Sequence, residues 1–149
     1  MYRQEWGNYM YKVDLLDNES NMLITKTDIC TNLPVSFWLK DILYFEVEKR
    51  KIIVHKADGT TIQYKGSLRN VKEEYAEYNF IQCFKSVLVQ LKYVKELKTE
   101  NKKNDLILEG GMKIPLSRTY KKDFLQAYKE YGLNLNNACY VIKEHVVSK

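Results

Sequence analysis

Phe80–Leu97 reads FIQCFKSVLVQLKYVKEL, and two of its residues do not belong inside a buried strand. Lys85 and Ser86 sit in the middle of an apolar run, and an unpaired ammonium taken out of water is costly to bury. The run must therefore break there into strand, outward turn and strand, with apolar neighbours bracing the turn on both sides. A second such point lies downstream at Ile114-Pro115-Leu116-Ser117-Arg118, and a basic run stands upstream at Lys49-Arg50-Lys51. Long cationic side chains on braced turns suit contact with a polyanion, and the three points are expected to share one edge.

Working outward, Met22 to Tyr64 reads as consecutive strands. Met22 to Cys30 is β-rich, Pro34 interrupts it, Val35 to Leu39 resumes, and Ile42 to Val47 is an aromatic and aliphatic run of strand length. Lys51 to Lys56 and Thr60 to Tyr64 flank Asp58-Gly59, a strong hairpin signal because glycine supplies positive φ. Ser67 is expected to cap a helix whose Leu68, Val71 and Tyr75 face a sheet, with Asn79 as its left-handed end. Beyond Phe80–Leu97, Tyr93 to Lys98 and Asp105 to Glu109 read as a hairpin around a polar loop, Thr99 to Asn104. Gly110-Gly111 turns into Met112 to Leu116, and Pro115, which cannot donate to a ladder, places that strand at an edge. Ser117 is expected to cap a second helix carrying Tyr120, Phe124, Leu125, Tyr128 and Tyr131, stopped by Gly132. The segment before Met22 is undecided apart from an expected turn at Asp17–Asn21, and the apolar piece CYVI in the tail has no assignable type. Without alternating βαβ units a mainly antiparallel β fold is expected, not a doubly wound parallel sheet.

The chain of 149 residues suits one domain with a real core. A hydrophobic content of 45%, with 13% aromatic, excludes disorder, and twelve tyrosines favour pleated surfaces. The net charge of +5 says little, but its distribution says more. Residues 85–103 carry six lysines against Glu96 and Glu100, and residues 113–122 add Lys113, Arg118, Lys121 and Lys122 without an acid. The first twenty residues set Arg3 and Lys12 against Glu5, Asp14, Asp17 and Glu19. Three widely spaced cysteines, Cys30, Cys83 and Cys139, form no CxxC pair and read as reduced thiols of a cytoplasmic protein. No run approaches the ~18 apolar residues that span a membrane, so membrane insertion is not expected.

Catalytic signatures are missing. His55 and His145 lack ligand spacing, Gly110-Gly111 lies in no phosphate-loop pattern, and no GxSxG elbow occurs. His55 is expected to face solvent from a strand. Cys83 beside a basic turn invites a lowered pKa, but a plain core thiol is the simpler assignment. No enzyme, metal or cofactor is expected.

Four segments in order now carry a resemblance. LKDILYFEVEKRKIIVH, ADGTTIQYKGSLRNVKEEY, NFIQCFKSVLVQLKYVKEL and DLILEGGMKIPLSRTY resemble the opening strand pair, hairpin with capped helix, diagnostic strand–turn–strand and closing hairpin of the LytTR DNA-binding domain of bacterial transcription regulators. The resemblance runs from about Leu39 to Arg118. The family's usual His-Arg-Ser reads Phe84-Lys85-Ser86, and Gln90 stands where asparagine is common. Lysine keeps the charge but not the planar fork that reads guanine.

The resemblance implies an elongated set of small antiparallel sheets with one packed helix, here followed by a C-terminal helix. It divides the chain into an extension at residues 1–21, the DNA-binding domain at 22–120, and a helix with tail at 121–149. It implies a sequence-specific transcription regulator, related to two-component systems, whose basic loops enter successive major grooves of double-stranded DNA, often at paired repeats bound by two copies. The contacting residues carried over are Lys49, Arg50, Lys85, Ser86 and Arg118, with Lys51, Lys121 and Lys122 assigned to phosphates. Twenty-odd leading residues are too few for a receiver domain, so a stand-alone regulator is expected, controlled by its own level or by a regulatory protein partner. The alternative, motivated by Phe84, is an interaction module that sequesters a related regulator without reading DNA.

Overall fold

The computed structural model describes residues 22–135. The expected turn at Asp17–Asn21 and the CYVI piece lie outside them. Among the described residues ten strands form three antiparallel sheets. β1 (Leu23–Thr27) pairs with β2 (Pro34–Trp38) in a two-stranded sheet. β3 (Ile42–Glu48), β4 (Lys51–Lys56), β5 (Thr61–Lys65), β6 (Phe80–Phe84) and β7 (Val87–Gln90) form the central sheet, ordered β5-β4-β3-β7-β6. β8 (Val94–Glu100), β9 (Lys103–Leu108) and β10 (Lys113–Pro115) form the third, with β10 at the edge as Pro115 requires. Helix α1 (Leu68–Glu74) follows β5, and α2 (Arg118–Leu135) closes the described chain.

The central sheet is buried on both faces, which makes β3 and β7 near-continuous apolar runs. Phe45, Ile52, Val54, Phe80 and Leu88 face a core shared with Ile24, Phe37, Val71 and Tyr75, contributed by the β1–β2 hairpin and α1. Tyr44, Cys83, Val87 and Val89 face a second core with Leu106, Leu108, Ile114, Phe124 and Tyr128, contributed by the third sheet and α2. Ile42 and Phe45 share a face although three apart, because the β3–β4 register shifts between Ile42 and Tyr44.

Several expectations are corrected. Pro34 opens β2 instead of separating strands, a position where its missing N–H costs no ladder bond. The polar stretch Thr99 to Asn104 is mostly ladder: Thr99 pairs with Asn104 and Glu100 with Lys103 around a two-residue turn. Asn101 and Lys102 both take positive φ there, the geometry of a tight hairpin turn. Asn79 is left-handed at φ 66°, but α1 has already ended at Glu74, and Asn79 instead leads into β6. Gly132 lies buried within α2, not at its end. A mid-helix glycine costs about 1 kcal/mol against alanine, which the burial of Phe124, Tyr128 and Tyr131 outweighs. His55 does not simply face solvent: it stacks on Tyr44 at 4.1 Å between centroids and meets Glu46 Oε1 at 2.9 Å. Among the described residues no helix is long and apolar enough to cross a membrane.

Candidate nucleic-acid interface

One end of the central sheet gathers the basic turns. β3 ends and β4 begins at Lys49-Arg50, and the same sheet end holds the Lys85-Ser86 turn between β6 and β7, because Glu46 pairs with Val87. Three backbone hydrogen bonds tie the neighbouring segments together. The amide of Val47 donates to the Ser86 carbonyl at 2.9 Å, that of Gly66 to the Arg50 carbonyl at 2.9 Å, and that of Ser117 to the Cys83 carbonyl at 2.9 Å. The last bond brings the start of α2, and with it Arg118, beside the end of β6. Along residues 47–51, 65–67, 84–87 and 117–119 the one carboxylate is Glu48.

Each turn is set by local chemistry. Lys49 and Arg50 have φ of 49° and 66°, so both occupy the left-handed region of a two-residue hairpin turn that favours Asn-Gly. For residues with a Cβ that conformation costs about 1–2 kcal/mol each, which places two cations on a rigid and disfavoured turn. Ser117 caps α2 by accepting from the Thr119 amide at 3.2 Å, and Ser67 caps α1 by accepting from the Asn70 amide at 3.3 Å.

The expected site residues divide as follows. Lys49, Arg50, Lys85 and Arg118 are exposed, while Lys51 and Ser86 are half-buried at the same end. Lys122 is exposed on α2. Lys121 is half-buried and donates to Asn104 Oδ1 at 3.2 Å, which ties its ammonium to β9. Phe84, the residue that motivated the sequestering alternative, is half-buried and packs against the second core. Gln90 is buried, and its amide donates to the carbonyls of Ile42 at 2.6 Å and Leu39 at 3.2 Å, so its work is to hold the strand entry. Cys83 is fully buried; desolvation pushes its thiol up to about 12, the opposite of activation.

Lys65 was missed by sequence reasoning. It lies directly across from Lys51 in the β4–β5 ladder, and both line an open depression of ≈ 490 Å³ with Lys49, Arg50, Ser67 and Asn70. Like charges placed opposite each other destabilise a sheet and favour an anion between them. A two-residue Asp58-Gly59 turn would set Lys51 opposite Gly66; the hairpin instead closes with the Lys56 amide on the Thr60 carbonyl around Ala57-Asp58-Gly59, and that shift of one residue brings Lys65 opposite Lys51.

The family model described as LytTR, LytTr DNA-binding domain, matches residues 34–129, more than half of the chain. The chain belongs to the LytTr DNA-binding domain family. Among curated relatives, the sensory transduction protein LytT of Bacillus subtilis (strain 168) is 28% identical over 115 residues, covering 74% of this chain and 47% of that protein. The chain thus spans about half the length of that relative. Among solved structures, a LytTr DNA-binding domain from Bacillus cereus superposes with a TM-score of 0.61 at 21% identity, covering 70% of this chain and 94% of that one. At that identity the likeness establishes the fold: a LytTr domain of several antiparallel sheets with a C-terminal helix.

Proposed function

We propose that this LytTr domain regulates transcription by gripping duplex DNA with the basic end of its central sheet. The observation that carries the reading is the convergence of Lys49-Arg50, Lys85-Ser86 and Ser117-Arg118 through the bonds Val47–Ser86, Gly66–Arg50 and Ser117–Cys83. Long cations on turns fixed by a two-sided core lose little further entropy on binding, which favours affinity. Lys85, Ser86 and Arg118 reach base edges in the major groove, and Lys49 and Arg50 enter beside them. Lys51, Lys65 and Lys122 meet phosphates, while Lys121 contributes less because Asn104 holds it. Two copies on paired repeats, forming a homodimer on DNA, would engage successive grooves on one side of the duplex.

Selection of bound duplexes from a random pool tests this. The reading expects an enriched motif repeated at near-helical spacing, with binding that weakens as salt rises. A pool that stays random after successive rounds, together with capture of a regulator protein by the same chain, would favour sequestration instead.

A further inference from the structure

A hydrogen-bond relay links α1 to the Lys85-Ser86 turn. Gln82, on β6, donates through Nε2 to the carbonyl of Phe84 at 3.2 Å and to that of Lys85 at 3.4 Å, while its Oε1 accepts from Lys72 Nζ on α1 at 3.0 Å. The orientation of the amide is forced by its partners: lysine only donates and a carbonyl only accepts, so a flipped Gln82 would lose all three bonds. The ladder is irregular at this point, with the β6–β7 register shifting between Gln82 and Phe84. A turn beside an irregular pairing has fewer ladder bonds to define it, and side-chain donors bonding two successive carbonyls supply the missing restraint.

We propose that Gln82 is a positioning residue for DNA reading, with Lys72 orienting it: together they fix the pose in which Lys85 and Ser86 are presented. The inference rests on the turn being the reading element, as proposed above. It also assigns Lys72 an inward task. Although it is exposed and basic, its ammonium is spent on Gln82, so it is not a phosphate contact.

The test uses the full chain and a duplex recovered from the random pool, with a scrambled duplex beside it. Gln82→Leu removes the donors; Gln82→Glu keeps the acceptor for Lys72 but has no N–H for the turn carbonyls and repels them. Both variants are expected to lose roughly tenfold or more of the selected-over-scrambled affinity ratio, the scale of a lost base contact. In Gln82→Leu, scrambled-duplex affinity and the salt slope should stay at wild-type values, because no charge has been removed or added. Lys72→Met should lower the ratio by a smaller factor and also leave the slope unchanged; a slope reduced by about one unit would mark Lys72 as a phosphate contact and overturn its role here. Amide NMR of Lys85, Ser86 and Val87 without DNA supplies a second readout, with shifted resonances and faster exchange expected in Gln82→Glu. Unchanged turn amides and an unchanged ratio in the Gln82 variants, alongside a collapsed ratio in Lys85→Ala, would overturn the relay and leave the DNA reading standing. An unchanged ratio in Lys85→Ala would instead sink the reading itself, and the turn amides alone would then decide whether the relay shapes the turn.

Discussion

At the scale of single residues, exposure and hydrogen bonding separate cations free to meet DNA from those already engaged. Arg118 is exposed at the start of α2, so Arg118→Ala should cost about 1–3 kcal/mol of binding and relax preference at one base position, read by titration against single-base variants of the selected site. Lys121, bonded to Asn104, should show a smaller loss in the same assay. The two described cysteines differ in the same way. Cys30 is exposed, whereas Cys83 is fully buried with its thiol pushed up to about 12. Iodoacetamide on the folded chain is therefore expected to modify Cys30 and spare Cys83, as peptide mass mapping would show; rapid labelling of Cys83 would contradict its place in the core. Much at this scale was legible beforehand. Lys85-Ser86 betrayed its turn because a lysine inside an apolar run has only one inexpensive place to go. Phe84 was not legible: its side of the strand depends on the register shift next to it, and a shift of one residue reverses every face.

At the scale of elements, the proposed DNA contact at the Lys49-Arg50 turn stands against stability. Two left-handed residues that carry a Cβ are strained, and glycine or asparagine would relieve them. The double substitution Lys49→Asn, Arg50→Gly should raise the thermal midpoint while weakening DNA binding; a lowered midpoint would refute the strain argument. Lys65 belongs to the depression beside this turn, and Lys65→Ala should weaken selected and scrambled duplexes alike and reduce the salt slope by about one unit. Hairpins with a clear turn chemistry, such as Asp58-Gly59 with Gly59 at φ 90°, could be placed from sequence alone. The Asn101-Lys102 turn was harder, because solvated strand ends carry the same polar residues as loops and only the cross-strand pairs distinguish them. α2 was legible in its start, from Ser117, but not in its end. Burial of Phe124, Tyr128 and Tyr131 carries the helix through Gly132, and tertiary packing of that kind overrides local propensity. Phe124→Ala should accordingly cost about 3–5 kcal/mol of stability by urea unfolding, since the ring is fully buried in the core that α2 shares with the central and third sheets.

At the scale of the whole molecule, the central sheet buried on two faces is what makes one end rigid enough to present three basic turns together. The β1–β2 hairpin is fastened to that sheet partly through Asp28, which accepts from the amides of Thr31 at 3.0 Å and Gln63 at 3.4 Å and from the Thr31 hydroxyl at 3.1 Å. Desolvation would raise this carboxyl, but the hydrogen bonds outweigh it and hold it below its ordinary value. A carboxyl depressed in the folded state adds stability above its unfolded value of about 3.9, and loses that contribution as pH falls through the folded one. Urea midpoints should therefore drop on acidification below about pH 4, and less steeply in Asp28→Asn; parallel curves for the two proteins would remove Asp28 from this role. The two-layered core itself was only partly legible, because a strand buried on both faces shows no alternation from which to assign its sides. Whether the sheet end bearing Arg50, Lys85 and Arg118 grips DNA is decided by one titration: affinity for the selected duplex against salt, for the wild type and for Arg50→Ala, Lys85→Ala, Arg118→Ala combined. A DNA-gripping sheet end gives a linear fall of log affinity with log salt, at a slope of about −0.9 per phosphate engaged, with both affinity and slope reduced in the triple variant. Equal affinity and equal slope in the two proteins would contradict it.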